Sequence, residues 1–343
     1  QKAIRAPNVS EIASPRNANL DNAEFDPCSV GNPRPIDARL RALCTSTGMT
    51  AAQVGVIPNI VAGQVNIFVG TNPLALPKPE EADTTTVGFV YTPSWLTVVD
   101  NPVMSLDYYR IKVDGYIDSL SAQEVFTGCY ERGNTALCSR VRRVDGNLIF
   151  PGSGIELLTE NLVYYEVEGL ELGINFGLGL DRFGLDEKWG TLQFSYNGNL
   201  YLTNEYQPNT ILAVTDCNGF YGNSCGNPTH KYRHVQRTTW TVGDFQFSYL
   251  WRHQDSVKVQ PNQAAAVFPR FRSVDAYNYL DLSAAYAFNE NIEFSASVNN
   301  LFEEDPPSLG GEIGTTATNG GNTFPQNYDS VGRVFTLGVN FKF

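Results

Sequence analysis

The sequence has no apolar run that approaches the roughly 18 consecutive residues needed for a membrane-spanning helix. Charged residues make up only 17% of its 343 residues, below the roughly 25% of typical soluble domains. Acidic residues outnumber lysine and arginine by 36 to 24, so the net charge is −12 and a basic, phosphate-binding surface is lacking. These deficits exclude a helical membrane protein and predict that nucleic acid is not a partner.

Signals of catalysis and metal binding are also scarce. The chain has only three histidines and no C-x-x-C spacing. The spacing of its residues does not indicate a serine–histidine–aspartate triad. His230 and His234 stand four residues apart, and on a strand they would lie roughly 13 Å apart, too far to share one metal ion. We expect both to be exposed or lumen-facing polar residues, and we predict no catalytic residue, no metal site and no cofactor.

The end of the chain alternates strictly between apolar and polar side chains. Its apolar positions are Phe335, Leu337, Val339, Phe341 and Phe343. Period two predicts a β-strand with one apolar and one polar face. A strand that closes the chain on phenylalanine is typical of an outer-membrane barrel, and we predict that these five residues are the signal recognised by the barrel assembly machinery. The alternative is the last strand of a soluble sandwich.

The same alternation recurs along the chain and predicts about ten strands. They are Gln1 to Arg5, Thr84 to Leu96, Val103 to Val113, Leu162 to Leu180, Thr191 to Leu202, Lys231 to Val242, Phe245 to His253, Asn278 to Phe288, Ile292 to Phe302 and the final strand. We further predict a tight turn at 100–102, a two-residue hairpin at Gly243-Asp244, and a β-bulge at Gly169, where the apolar phase shifts.

Long connections alternate with short ones between these strands. The long ones, about residues 8–83, 114–161, 203–230, 254–272 and 303–330, show little sustained alternation, although short elements are expected near 37–43, 54–69 and 119–131. Short periplasmic turns and long extracellular loops are typical of outer-membrane barrels. The pattern therefore predicts an all-β, transmembrane, antiparallel up-and-down barrel surrounded by outer-membrane lipid.

All six cysteines fall in the long connections. Six cysteines permit fifteen pairings. Because neighbouring cysteines share a loop, we predict local disulfides, formed in an oxidising compartment, that join Cys28 with Cys44, Cys129 with Cys138, and Cys217 with Cys225.

Three arginines lie on the polar face predicted for adjacent strands. Arg233, Arg237 and Arg252 would attract an anionic or hydroxyl-rich substrate through charge-assisted hydrogen bonds. The alternative is that they pair with carboxylates of the lumen or of a plug.

Several motifs carry a family resemblance. They are Ile4-Arg5-Ala6-Pro7-Asn8, Leu106-Asp107-Tyr108-Tyr109-Arg110-Ile111, Asn299-Asn300-Leu301-Phe302 with Pro306-Pro307, and Tyr328-Asp329 with Gly332-Arg333 before Phe343. Together with the paired loop cysteines, they resemble the C-terminal half of the barrel of TonB-dependent outer-membrane receptors, over nearly the whole chain.

The resemblance implies a barrel of about 22 strands with a plugged lumen. Residues 1–343 would be its C-terminal portion, without the plug domain through which TonB acts, so we expect a fragment. The implied function is active import, across the bacterial outer membrane, of a scarce small molecule such as a ferric siderophore, cobalamin or an oligosaccharide, with no enzymatic activity. The alternatives are an outer-membrane barrel enzyme or adhesin, and a soluble β-sandwich binding protein.

Overall fold

The computed structural model describes residues 1–60, 64–264, 267–310, 313, 319–320 and 322–342. Its strands are β1 (Lys2–Arg5), β2 (Asn17–Asn22), β3 (Gln64–Thr71), β4 (Glu80–Tyr91), β5 (Asp100–Asp114), β6 (Ile117–Asp118), β7 (Val141–Arg142), β8 (Gly154–Asn161), β9 (Tyr164–Gly179), β10 (Thr191–Gln207), β11 (Thr215–Asp216), β12 (Phe220–Tyr221), β13 (Tyr232–Val242), β14 (Phe245–Gln254), β15 (Val257–Val259), β16 (Ser273–Val274), β17 (Tyr277–Asn289), β18 (Ile292–Asn299) and β19 (Val334–Phe341).

The helical segments are short and lie in the connections between strands. They are α1 (Val9–Ala13), α2 (Ala38–Ser46), α3 (Ala122–Phe126) with a π-helical turn (Thr127–Glu131), α4 (Thr135–Cys138), and three 3-10 turns (Leu180–Phe183, Glu187–Trp189 and Pro269–Phe271). None of the described helices has the length and apolarity needed to cross a membrane.

One large antiparallel sheet, which we call the wall, organises the molecule. Its strands follow the order β1-β4-β5-β9-β10-β13-β14-β17-β18-β19, with β11 paired to β10. Each long strand pairs with its neighbours along the chain, as the predicted up-and-down topology requires, and the hairpin at Gly243-Asp244 is present. The predicted all-β, antiparallel fold is confirmed, although β1 and β19 remain edge strands and the sheet is open over the residues described.

The wall has one apolar face, and that face is uncovered. Phe335 is 70% exposed and Leu337 is 85% exposed, while Val339, Phe341 and Phe247 are also exposed. Phe343, the last residue of the predicted assembly signal, lies outside the described residues. In a soluble sandwich these side chains would be buried against a second sheet. Their exposure instead suits a face that meets lipid hydrocarbon.

The predicted position of the turn between β4 and β5, and the strand ends predicted beside it, are wrong. The turn occupies residues 92–99, not 100–102, so that β4 ends at Tyr91 and β5 begins at Asp100. Asn101 has φ +48°, and the register shifts between Asp100 and Val103. The Asn101-Pro102 pair therefore forms an irregularity inside the strand. Proline stops a ladder because it lacks an N–H, which is why this dipeptide looked like a turn.

The predicted bulge at Gly169 lies in the neighbouring strand. In β10, Tyr201 pairs with Gly169 and Thr203 pairs with Glu168 of β9. Leu202 between them is therefore the extra residue. Against β5, β9 runs through Gly169 without a shift.

The change of apolar phase in β9 has a different origin. From Gly169 toward Tyr164, the apolar face of the wall carries polar side chains instead. Arg110 Nε donates to Glu166 at 2.6 Å, and the Tyr108 hydroxyl donates to Glu168 at 3.0 Å. The apolar face therefore changes to a polar one at Gly169, without a bulge in β9.

The long connections fold into two lobes at one end of the wall. The first lobe contains the sheet β2-β3-β8-β6, with β7 paired to β8, and helices α2 to α4 around a buried core. The second lobe contains the sheet β12-β15-β16 and a core that includes Tyr221, Val257, Phe324 and Tyr328. The short elements expected within the long connections near 37–43 and 119–131 are present as α2 and α3, and β3 overlaps the one expected near 54–69.

Candidate functional site

The polar face of the wall carries a row of hydrogen-bonding side chains across adjacent strands. Glu171 of β9 is paired with Asn199 of β10, which is paired with Arg233 of β13, which is paired with Gln254 of β14. With Asp107 of β5, these side chains line a cleft of about 480 Å³. The cleft offers donors and acceptors of both charges to a polar solute.

Arg252, one of the three predicted substrate-binding arginines, is held by carboxylates of the protein. Its Nε lies 3.0 Å from Asp281 Oδ2, and its Nη2 lies 2.6 Å from Asp329 Oδ2. Its guanidinium also lies 4.8 Å from the centre of the Tyr279 ring. Arg252 therefore follows the alternative stated for the three arginines, which is pairing with carboxylates of the protein.

Arg233 and Arg237 have exposed side chains and, within the described part of the chain, make no ion pair. Arg237 Nη1 donates to Ser248 Oγ at 3.1 Å, and the Arg233 guanidinium lies 6.0 Å from the centre of the Tyr201 ring. Their donors are therefore available to a solute, and substrate binding by these two residues stays a prediction.

A second cavity, which we call the mouth chamber, lies where the first lobe, the second lobe and the upper end of the wall meet. It has a volume of about 440 Å³, and its polar lining includes Asp21, Asp118 and Glu124 of the first lobe, Tyr165, Asn204 and Tyr206 of the wall, and Asn223 of the loop that precedes β13. Sequence reasoning missed it, because its residues are scattered over more than two hundred positions and no local pattern unites them.

The carboxylates of the mouth chamber are held by backbone N–H groups. Asp21 Oδ2 accepts from Ala122 N at 2.9 Å, and Asp118 Oδ1 accepts from Ser119 N at 2.8 Å. Burial raises the pKa of Asp21, of Asp118 and of Glu124, because desolvation disfavours their charged forms. The chamber thus concentrates partly desolvated carboxyl groups at the entrance to the polar face.

The expectation for His230 and His234 is wrong, because both are buried. His230 is 5% exposed, and its Nδ1 lies 2.5 Å from the carbonyl oxygen of Asp255. Burial lowers the pKa of His230. His234 is 7% exposed on the apolar face, stacked on His253 at 5.0 Å and edge-on to Trp251 at 4.4 Å. Both histidines thus belong to aromatic packing.

The structure contains three disulfides with the predicted local pairing, Cys28–Cys44, Cys129–Cys138 and Cys217–Cys225. The third closes a loop in which Gly222, Ser224 and Gly226 have G-x-S-x-G spacing. In hydrolases this spacing forms a strand-to-helix elbow, whereas here it follows β12 and is bridged by Gly222 and Gly226 themselves. No group of three potential metal ligands occurs among the residues that the structure describes.

Comparison with known proteins places these features in context. Residues 1–301 match the family model described as "TonB dependent receptor-like, beta-barrel". A search of curated proteins finds no match.

Solved structures of receptors have the same fold. A variant of the ferric enterobactin receptor PfeA from Pseudomonas aeruginosa is 14% identical, with a TM-score of 0.52 over 100% of this chain and 37% of that one. Another PfeA variant, in complex with enterobactin, is 16% identical, with a TM-score of 0.51 over 81% of this chain and 33% of that one. The chain thus spans about a third of the length of the structures it resembles, and at this identity the likeness concerns the fold alone.

Proposed function

Because the chain belongs to the TonB-dependent receptor β-barrel family, we propose that it forms part of the wall of an importer in the bacterial outer membrane. A scarce small molecule, such as a ferric siderophore, cobalamin or an oligosaccharide, is captured on the side of the two lobes and passes inward along the polar face. The energy comes from TonB, acting on a plug region outside residues 1–343. The wall does no covalent chemistry.

The observation that carries the proposal is the opposition of the two faces of one sheet. The apolar face exposes Phe335 and Leu337, as a face that meets lipid hydrocarbon does. The polar face presents Glu171, Asn199 and Arg233. A sheet with lipid on one side and hydrated solute on the other is the wall of a channel.

The two edge strands of the wall must be paired if the wall lies in a membrane. Unpaired backbone groups are not tolerated in hydrocarbon, so β1 and β19 require strand partners in the membrane. Further strands of the same receptor, in a closed barrel of about 22 strands, would supply them.

The first experiment concerns the membrane. The intact protein, expressed in a Gram-negative host, is expected to remain in the outer-membrane fraction through washes with buffer and salt, and to need detergent for extraction. Recovery of folded protein in buffer alone would contradict the proposal.

The second experiment concerns energised uptake. Labelled ferric siderophores, cobalamin and oligosaccharides are supplied to host cells with and without TonB, and accumulation of one class is expected only where both TonB and this protein are present. Arg237→Ala should weaken binding of that solute, and unchanged affinity would remove Arg237 from the binding site. Lys188→Ala, on an exposed turn at the opposite end of the wall, serves as the control. Uptake that is the same without TonB would refute the energised mechanism.

A further inference from the structure

The mouth chamber is acidic and contains no cation of its own. Its described lining has three carboxylates, Asp21, Asp118 and Glu124, but neither lysine nor arginine. None of the three forms an ion pair within the described part of the chain. By contrast, the fully buried carboxylate of Asp26 in the first lobe is paired with Arg143 at 2.6 Å.

Asn223 supplies a separate sign that the chamber holds a ligand. It is only 5% exposed, yet neither its side-chain oxygen nor its side-chain nitrogen has a hydrogen-bond partner in the described structure. Its backbone is fixed, because its N–H donates to Gln263 at 3.0 Å and the loop is closed by the Cys217–Cys225 disulfide. A buried amide with no partner is costly, and this one lines the chamber.

Aromatic rings complete the lining. Tyr116, Tyr165 and Tyr206 contribute to the chamber, and the first two rings lie with centres 5.4 Å apart. Tyrosine faces attract cations, while the phenol groups and the Asn223 amide oxygen accept hydrogen bonds from an ammonium group. An anionic ligand would be repelled by the carboxylates, and a neutral sugar would leave their charge uncompensated.

We propose that the mouth chamber binds an organic cation, namely a ligand that carries one or more protonated amine groups. This inference rests on the proposed function, and it narrows the solutes named there to those that carry a protonated amine. Asp21 and Asp118 neutralise the ammonium groups, Asn223 accepts a hydrogen bond through its side-chain oxygen, and the tyrosines cover the hydrocarbon part of the ligand.

The test uses the intact protein in detergent and three polar probes that differ in charge. Spermidine is a linear triamine, maltotriose is neutral, and citrate carries three negative charges. Isothermal titration calorimetry is expected to detect saturable binding of spermidine and none of maltotriose or citrate over the same concentration range. Absence of saturable spermidine binding, or equal binding of all three probes, would overturn the proposal.

Variants locate the binding. Asp21→Asn and Asp118→Asn preserve the shape of the side chain and should each raise the Kd for spermidine about tenfold, the effect of losing one charge-assisted hydrogen bond. Asn223→Ala should also raise it and, because it removes only an unpartnered amide, should leave the lobe folded. Asp145→Asn is the matched control, since Asp145 is exposed in the same lobe, outside the chamber, and its φ of +48° suits asparagine.

These outcomes distinguish failure of the chamber proposal from failure of the proposed import function. If Asp145→Asn weakens spermidine binding as much as Asp21→Asn and Asp118→Asn do, the site is general surface charge and the proposal fails. Binding in detergent needs no TonB, so the chamber is tested whether or not uptake depends on TonB. Conversely, TonB-dependent uptake without spermidine binding would refute the chamber proposal alone.

Discussion

Replacing Glu24 by glutamine is expected to stabilise the first lobe at alkaline pH and to leave it unchanged at acidic pH. Burial raises the pKa of Glu24 to about 7, and the nearby negative charge of Glu131 adds to the effect, while Arg34 opposes it. Arg34 is itself paired with Glu131 at 2.7 Å. Glu24 Oε1 is buried with no hydrogen-bond partner in the described structure, so its charged form is poorly solvated.

The magnitude follows from the two pKa values. The difference between 7 in the folded state and 4.5 in the unfolded state is 7 − 4.5 = 2.5 pKa units. At about 1.36 kcal/mol per unit this is about 3 kcal/mol, which partial exposure and solvent screening reduce to about 2 kcal/mol. Because the folded state binds the proton more tightly, this stability is fully present below pH 4.5 and is lost as the pH rises through about 7.

Glutamine is neutral at every pH and avoids that loss. Glu24→Gln should therefore raise the free energy of local unfolding by about 2 kcal/mol relative to wild type above pH 8, and by nothing near pH 4. Hydrogen exchange of first-lobe amides, followed by mass spectrometry in detergent, should show protection factors about 30-fold higher at the alkaline pH. Asp145→Asn, in the same lobe, is the control and should change neither value. An equal gain at both pH values, or a loss at alkaline pH, would refute the reasoning.

Three further predictions concern other parts of the molecule. Arg143→Met should destabilise the first lobe by about 3–5 kcal/mol, because it leaves Asp26 charged, buried and unpaired; hydrogen exchange in the same lobe measures this. Phe247→Arg should cost about 2–4 kcal/mol on the lipid face and lower the yield of folded protein in the outer membrane, whereas Gln246→Arg, the preceding residue on the polar face and exposed, should be tolerated. Arg252→Ala should lower the melting temperature in detergent, at a cost of about 1–3 kcal/mol, because it deprives two carboxylates of their partner.

The wall could be predicted from the sequence because its signal is local. Alternation of period two places each side chain on a face without knowledge of the strand's neighbours, and most strand bounds lie within a few residues of those predicted. The details at Asn101 and Gly169 were wrong because a proline or a change of apolar phase has more than one structural cause. At Gly169 that cause is the change of the apolar face to polar side chains.

The lobes could not be predicted because contacts between distant residues define them. In the first lobe, β3 and β8 are parallel, so that Ile67 is paired with Ile155, and parallel pairing leaves no hairpin signal in the sequence. The buried Arg143–Asp26 pair likewise joins residues 117 positions apart. A charged pair in a core contradicts the usual pattern, which assigns such residues to the surface.

The position of Tyr206 explains how these distant segments form one chamber. Its hydroxyl donates to Glu124 Oε1 at 2.8 Å and lies 3.2 Å from the carbonyl oxygen of Ser224, so a wall strand contacts both a first-lobe helix and the disulfide loop through one atom. Glu124 also caps helix α3, because its Oε2 accepts from Ser121 N at 2.8 Å. A ligand of the proposed kind would therefore meet a Glu124 carboxylate that the wall holds in place, and Asp21 and Asp118 carboxylates that backbone N–H groups hold. Carboxylates that are already fixed lower the ordering cost of binding. Under the proposed function, the lobes would be a preorganised entrance rather than loops that must fold around the solute.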